Sequence, residues 1–295
     1  MDKLKTKHDK SAFFYLLPAI IIILFIYGNP LIRIFWYSLI KWDGLLPTKE
    51  FSGSINFLEV LTNKYFLQIL FNNLIIIVVT IPIVVLFAIF CCQFIYLRVF
   101  GYRIYQYLFF LPVILPNVVA AIIWTFFFHE TGPINTLFTK IGLDFLVVNW
   151  FGNPRFSLYG LIITIIWKEV GFAIVLFLAR LSSVDPYLYD AAKVDGANDF
   201  QTLRYITIPQ LKSVIQLYVI LEIIGLLNFL FSYIFVMTRG GPGFSSTVLE
   251  YFVYIFAFTY KKIGPANAVA LILFVITFIF VLIYLRFSKS SEEVD

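Results

Sequence analysis

Six runs of 23 to 27 mainly apolar residues govern what this chain can fold into: 13–39, 71–97, 104–128, 156–179, 213–238 and 263–285. About 20 such residues cross a bilayer as a helix, and in lipid a helix satisfies its own backbone hydrogen bonds. The first run carries one charge, Arg33; the fourth holds the adjacent Lys168 and Glu169; the fifth holds Glu222; the other three carry none. Composition agrees. Of 295 residues, 61% are apolar and 13% are charged, about half the charge of an ordinary soluble domain. Too few polar residues remain to coat a water-soluble fold, which excludes a soluble enzyme, a disordered tail and a secreted disulfide scaffold.

Six crossings put both termini on one side. Lys and Arg are about twice as dense on that side as in the opposite loops, and the positive-inside bias makes it the cytoplasm. The first run is too long for the apolar core of a signal peptide and no Ala-x-Ala-like site follows it, so it reads as an uncleaved helix, bent at Asn29-Pro30. Pro82, Pro112 and Pro116 predict bent helices packed in a bundle, because neighbours must satisfy the carbonyls that proline frees. Cys91 and Cys92 read as small apolar filler. His8 and His129 are too isolated for a zinc site. The net charge of +5 is not gathered on one segment, which argues against a nucleic-acid partner.

The segment 180–212 is not a plain linker. Asp185-Pro186 suits a helix start, and 187–194 continues it with Leu188, Ala191 and Ala192 on one face. Gly196 breaks the run, free to take a positive φ. A second short helix over 197–205 is expected to end before Ile208-Pro209. By composition, the segment is either an amphipathic stretch on the membrane surface or an insert for another protein's groove.

Asp190-Ala191-Ala192, three residues, Gly196, nine residues, then Ile206-Thr207-Ile208-Pro209 resembles the EAA loop of permeases of bacterial ABC importers. The family pattern has Glu at 190 and Leu at 208. The fuller string 190–197, with Asp195, Gly196 and Ala197, is similar to the carbohydrate-uptake branch, of the maltose and glycerol-phosphate type. Segments 111–124, 132–135, 167–181 and 235–242 look like helices three to five of sugar permeases, so the resemblance covers nearly the whole chain. It implies an all-α polytopic membrane protein with six transmembrane helices in the type I ABC importer permease fold, one peripheral N-terminal helix plus a five-helix core. Residues 1–70 would hold the cytoplasmic N-terminus, first helix and external loop. Residues 71–287 would form the permease core, and 288–295 a cytoplasmic tail. The implied partners are a second permease subunit in a heterodimer, two ATPase subunits and an extracytoplasmic solute-binding protein, in a prokaryotic cell membrane. The implied substrate is a carbohydrate. Asp190, Ala191, Ala192, Asp195, Gly196, Ala197, Ile206 and Pro209 would couple the chain to the ATPase.

The residues support part of this independently. No Gly-x-x-x-x-Gly-Lys-[Ser/Thr] occurs, so nothing here cradles nucleotide phosphates. The chain is expected to bind no cofactor and catalyse nothing, with ATP and Mg on the partner ATPase.

Ionisable groups inside a span usually face a bundle interior or a water-filled cavity. Lys168, Glu169 and Glu222 are therefore pathway candidates, with Arg33 and Asn228 behind them. The alternative is an internal ion pair with Glu222 that fixes one helix against another. Relatives that carry maltose line the pathway from the fourth and fifth helices, and by register Lys168, Glu169 and Phe172 fall there. Ile223, Leu227 and Leu230 on the fifth are apolar, so the identity of the sugar does not transfer. Phe172, Trp167 and Phe229 suit either sugar stacking or packing. Two alternatives stay open at this point: an importer of a phosphorylated polyol or a peptide, and an ion-coupled carrier using the three charged residues. Gly240-Gly241-Pro242-Gly243 reads as a tight external turn, and the aromatic stretch 251–260 as an interfacial segment.

Overall fold

The computed structural model describes residues 5–45, 47–96 and 101–292. Leu97, which closes the second apolar run, and the last three residues of the expected tail lie outside the described residues. The chain is almost wholly helical. In order come α1 (Lys5–Ile23), a π turn (Leu24–Gly28) and α2 (Asn29–Ser38). A two-stranded antiparallel hairpin follows, β1 (Ile40–Lys41) with β2 (Glu50–Phe51), then α3 (Ile55–Leu61) and α4 (Phe66–Tyr96). Next are α5 (Tyr102–Ile114), α6 (Asn117–Phe127), α7 (Pro133–Lys140) and α8 (Ser157–Leu181). After α9 (Pro186–Val194) and α10 (Asp199–Thr202), a π turn (Leu203–Thr207) leads into α11 (Ile208–Asn228) and α12 (Phe231–Met237). α13 (Leu249–Tyr254), a π turn (Ile255–Thr259) and α14 (Ile263–Glu292) complete the order.

Among the described residues, five helices are long and apolar enough to cross a membrane, and the count is six if one bent pair is a single broken span. The pair is α5 with α6, meeting at 106°. Leu115 stands before Pro116 and is extended, with ψ 135°; the proline ring excludes the helical conformation from the residue ahead of it. The third apolar run is thus two helices, not one straight span. Pro82, by contrast, leaves α4 unbroken. In the first run the irregularity lies ahead of Pro30. The Asn29 N–H reaches back to the Leu24 carbonyl in a widened turn, where the proline ring would crowd the carbonyl four residues back.

The same device corrects a second expectation. The short helix after Gly196 does not end before Pro209, because the π turn carries it into α11, and Asp199–Asn228 runs on as one apolar helix. The fifth run instead breaks after Asn228, where no proline stands, and Phe231 restarts it.

The described residues divide into two compact units, one from 1–63 and 253–272, the other from 64–252 and 273–295. In the first, the Asn56 amide donates to the carbonyls of Ser38 (2.8 Å) and Ile40 (2.9 Å), and Lys262 pairs with Glu59 at 2.6 Å. In the second, α8 is central. Its Ala173, Ile174, Phe177 and Leu181 pack with Val84, Ala88 and Cys92 of α4 and with Leu211 and Tyr218 of α11. Cys91 and Cys92 are buried and free, the apolar filler that the sequence indicates. α5 crosses α8 closely at Gly171, where a Cβ would press on the Phe109 carbonyl and on Val113. Small residues permit such approach between helices in lipid, where apolar side chains gain little from leaving the solvent.

Candidate functional site

Two sets of residues stand out, a loop that projects and a polar cluster inside the helices. The loop begins where α8 ends. Arg180 donates from Nε to the Gln210 carbonyl (3.0 Å), from Nη2 to Gln210 Oε1 (3.1 Å) and from Nη1 to Ser183 Oγ (3.1 Å). Its planar fork thereby joins the exit of α8 to the entrance of α11. Asp185 caps α9, accepting from the Tyr187 N–H at 3.0 Å, and Pro186 occupies the first turn, where its missing N–H costs nothing. Gly196 has φ +77°, the left-handed conformation that L side chains resist. Asn198 and Gln201 then form a reciprocal capping box at the start of α10.

The buried side of α9 is formed by Tyr189 and Ala192. Leu188 and Ala191, expected to share a face with Ala192, lie on the exposed side with Asp190, Asp195 and Gly196. Ala197 and Ile206 are half-buried and Pro209 is exposed. Of the expected coupling residues, Asp190, Ala191, Asp195 and Gly196 are exposed on α9 and the turn after it, whereas Ile206 and Pro209 belong to the helix that runs on into α11. Tyr187 (80%), Val194 (89%), Phe200 (67%) and Tyr205 (69%) stand out from the same loop. Side chains this exposed offer apolar area either to the membrane surface or to another protein's groove.

The polar cluster joins α8 to α11 and α12. Lys168 and Glu222 are buried, and Glu169 is half-buried. The ion pair with Glu222 that the sequence leaves open is not formed. Lys168 Nζ donates to the Val113 carbonyl at 3.3 Å, and the only ion pair among the described residues is Lys262 with Glu59. Glu222 instead lies within electrostatic reach of Glu169, like charge against like. The hydroxyls of Tyr218 and Tyr233, both buried, sit in the field of these two carboxylates. The Tyr218 hydroxyl is directed at Glu222, one turn on, whereas the Tyr233 hydroxyl has no hydrogen-bond partner.

Phe172 is part exposed, its ring 6.2 Å from that of Tyr218. Trp167 packs edge-on to Trp124. The Asn228 amide is taken up by the Ile224 carbonyl (2.9 Å) and Thr277 Oγ1 (3.4 Å), so it braces α11 against α14. Arg33 bonds Asn29 of its own helix at 2.7 Å. Tyr218 and Tyr233 are absent from the sequence-derived candidates. Tyr218, one turn before Glu222, is on the same helical face, and that spacing was the available signal. No group of three or more metal-ligating side chains occurs among the described residues.

Comparison with known proteins places the chain as a whole. Residues 93–292 match the family described as binding-protein-dependent transport system inner membrane component. The chain is 33% identical to a probable ABC transporter permease protein of Pyrococcus horikoshii, covering 95% of this chain and 96% of that one. It is 28% identical to a trehalose/maltose transport system permease protein of Thermococcus litoralis, covering 99% and 98%. It is 29% identical to a lactose transport system permease protein of Rhizobium radiobacter, again covering 99% and 98%. Among solved structures, it is similar to a chain of a bacterial ABC transporter involved in the import of the acidic polysaccharide alginate, with TM-score 0.78, 24% identity and 97% of each chain covered. A chain of the bacterial alginate transporter in complex with its alginate pentasaccharide-bound periplasmic protein gives the same TM-score of 0.78 and identity of 24%, covering 97% and 96%.

Proposed function

The chain belongs to the family of binding-protein-dependent transport system inner membrane components, and from that premise we propose that it forms half of the translocation pathway of an ATP-driven carbohydrate importer. As a multi-pass permease of this family it is a transport subunit and not an enzyme. The observation that carries the reading is the projecting loop. Its exposed Tyr187, Val194, Phe200 and Tyr205 surround the EAA-type residues, with open space around Gly196. A groove in an ATPase subunit is the occupant this surface suits. The loop and both termini then face the cytoplasm. ATP and Mg reside on the ATPase, and this chain holds no cofactor.

The partners are a second permease subunit, which makes a heterodimer, two ATPase subunits and an extracytoplasmic solute-binding protein. The relatives named for trehalose/maltose and for lactose support a sugar or oligosaccharide as the solute. The buried cluster suits such a guest. The carboxylates of Glu169 and Glu222 accept hydrogen bonds from sugar hydroxyls, and the hydroxyls of Tyr218 and Tyr233 both donate and accept. Phe172 offers a partly exposed ring face beside them. Lys168 lies at the edge of the cluster, and Asn228 serves as a brace.

The test is uptake by proteoliposomes holding the chain with its permease partner and ATPase, with the binding protein outside. Uptake of a labelled oligosaccharide should require both internal ATP and the binding protein. Uptake that proceeds without ATP and is driven by an ion gradient would overturn the reading.

A further inference from the structure

Gln93, Thr207 and Tyr189 are distant in sequence and form one buried hydrogen-bonded chain. Thr207 Oγ1 donates to Gln93 Oε1 at 2.9 Å and lies 3.3 Å from the Tyr189 hydroxyl. All three side chains are buried. A hydroxyl has one proton to give. Thr207 gives its proton to Gln93, so Tyr189 is the donor to Thr207 and the bonds run one way, from α9 through Thr207 to α4. Hydrogen bonds aligned head to tail polarise one another, and burial raises the cost of parting them.

The three positions are mechanically distinct. Tyr189 lies on the buried side of α9, next to the exposed Asp190. Thr207 closes the π turn that leads into α11, the helix that carries Glu222. Gln93 sits in the last turn of α4, which packs on α8. A π turn holds one residue more than an α turn, so it resets the register between α10 and α11, and such turns recur at functional positions. The Tyr189 ring also packs on that of Tyr96, with centroids 4.9 Å apart. Apolar contacts alone would let α9 slide over these helices. The chain of bonds ties it to them.

We propose that Tyr189, Thr207 and Gln93 are positioning residues that make α9, the π turn and the end of α4 move together, so that displacement of the projecting loop reaches the helices lining the polar cluster. This rests on the coupling role proposed for the loop, and the experiment separates the two. In the reconstituted importer, Thr207→Val removes the central hydroxyl at nearly constant shape, Thr207→Ser keeps it, and Tyr189→Phe breaks one end. Thr207→Val should retain the ATPase and its basal hydrolysis while solute moved per ATP falls roughly fivefold or more, within the usual range of coupling between sites. Thr207→Ser should restore that ratio. Tyr189→Phe, which leaves Thr207 bonded to Gln93, should lower it less, and the double variant should be no worse than Thr207→Val. A wild-type ratio in Thr207→Val, or loss of bound ATPase in proportion to lost uptake, would overturn the proposal. If Thr207→Val does not assemble, a wild-type ratio in Tyr189→Phe does so instead. Failure of the wild-type chain to hold the ATPase would sink the coupling role itself.

Discussion

Glu222 is a buried carboxylate whose charged neighbour is Glu169 and not a lysine. That decides what its removal should do. Cutting one half of a buried ion pair leaves an orphan charge and costs about 3–5 kcal/mol. Removing one of two mutually repelling carboxylates leaves no such orphan. Glu222→Gln should therefore keep yield and thermal stability at or above wild type while uptake falls about tenfold, the loss of one hydrogen bond to a charged group. A melting curve beside an uptake assay checks this. A large drop in melting temperature would return Glu222 to a structural role. The sequence exposes Glu169 and Glu222 because a charge inside an apolar run is conspicuous. Tyr218 and Tyr233 are hidden among 18 tyrosines, and their burial next to carboxylates is a property of the packing.

The helix breaks are where element-level reading meets its limit. Pro116 announces the sharp turn between α5 and α6, yet Pro82 sits inside an intact α4. The break between α11 and α12 has no proline or glycine at its two residues, Phe229 and Leu230, and its support comes from elsewhere in the chain. Glu250 Oε2 accepts the Phe231 N–H at 2.8 Å and so caps α12. Burial pushes the Glu250 carboxyl up from 4.5 to about 7, against the opposing pull of that backbone bond. The folded chain then holds this proton more tightly than the unfolded chain does. Stability is therefore lost as pH rises from 4.5 to about 7, with no further loss from this group above that. Glu250→Gln, which can still accept from Phe231, should flatten that part of the profile in melting curves taken across the same range. An unchanged slope would show that Glu250 is not its source. The crossing of α5 over α8 gives a second test. Gly171→Leu places side-chain atoms against the Phe109 carbonyl and Val113, and overpacking of this kind costs about 1–3 kcal/mol. A lower melting temperature is expected, with Gly171→Ala intermediate. Wild-type melting of both would contradict the close crossing.

For the molecule as a whole, the number of crossings and the family were legible because apolar runs and the spaced loop motif survive as local patterns. Which residues meet across the helices was not, since that depends on register between distant segments. Orientation rests on the Lys and Arg bias, and it is testable because the native Cys91 and Cys92 are buried. A cysteine at Ser182 should resist an impermeant thiol reagent added outside intact cells, whereas one at Lys140 should react; both positions are exposed. The reverse pattern would invert the topology.

The central claim, that the exposed side of the 180–212 loop seats the ATPase, is tested most directly at Gly196. Its φ of +77° and the open space around it mean that an added Cβ meets backbone strain but no atom of this chain within 4 Å. Strain of roughly 1–2 kcal/mol falls on the loop alone, and a carboxylate buried unpaired in a partner's groove adds several more. Tagged wild-type and Gly196→Asp chains, expressed equally in membranes, should be compared for the ATPase that co-purifies with each. The expected result is that wild type retains the ATPase and Gly196→Asp, with all its spans inserted, loses most of it together with uptake. Full ATPase retention and wild-type uptake by Gly196→Asp would contradict the account.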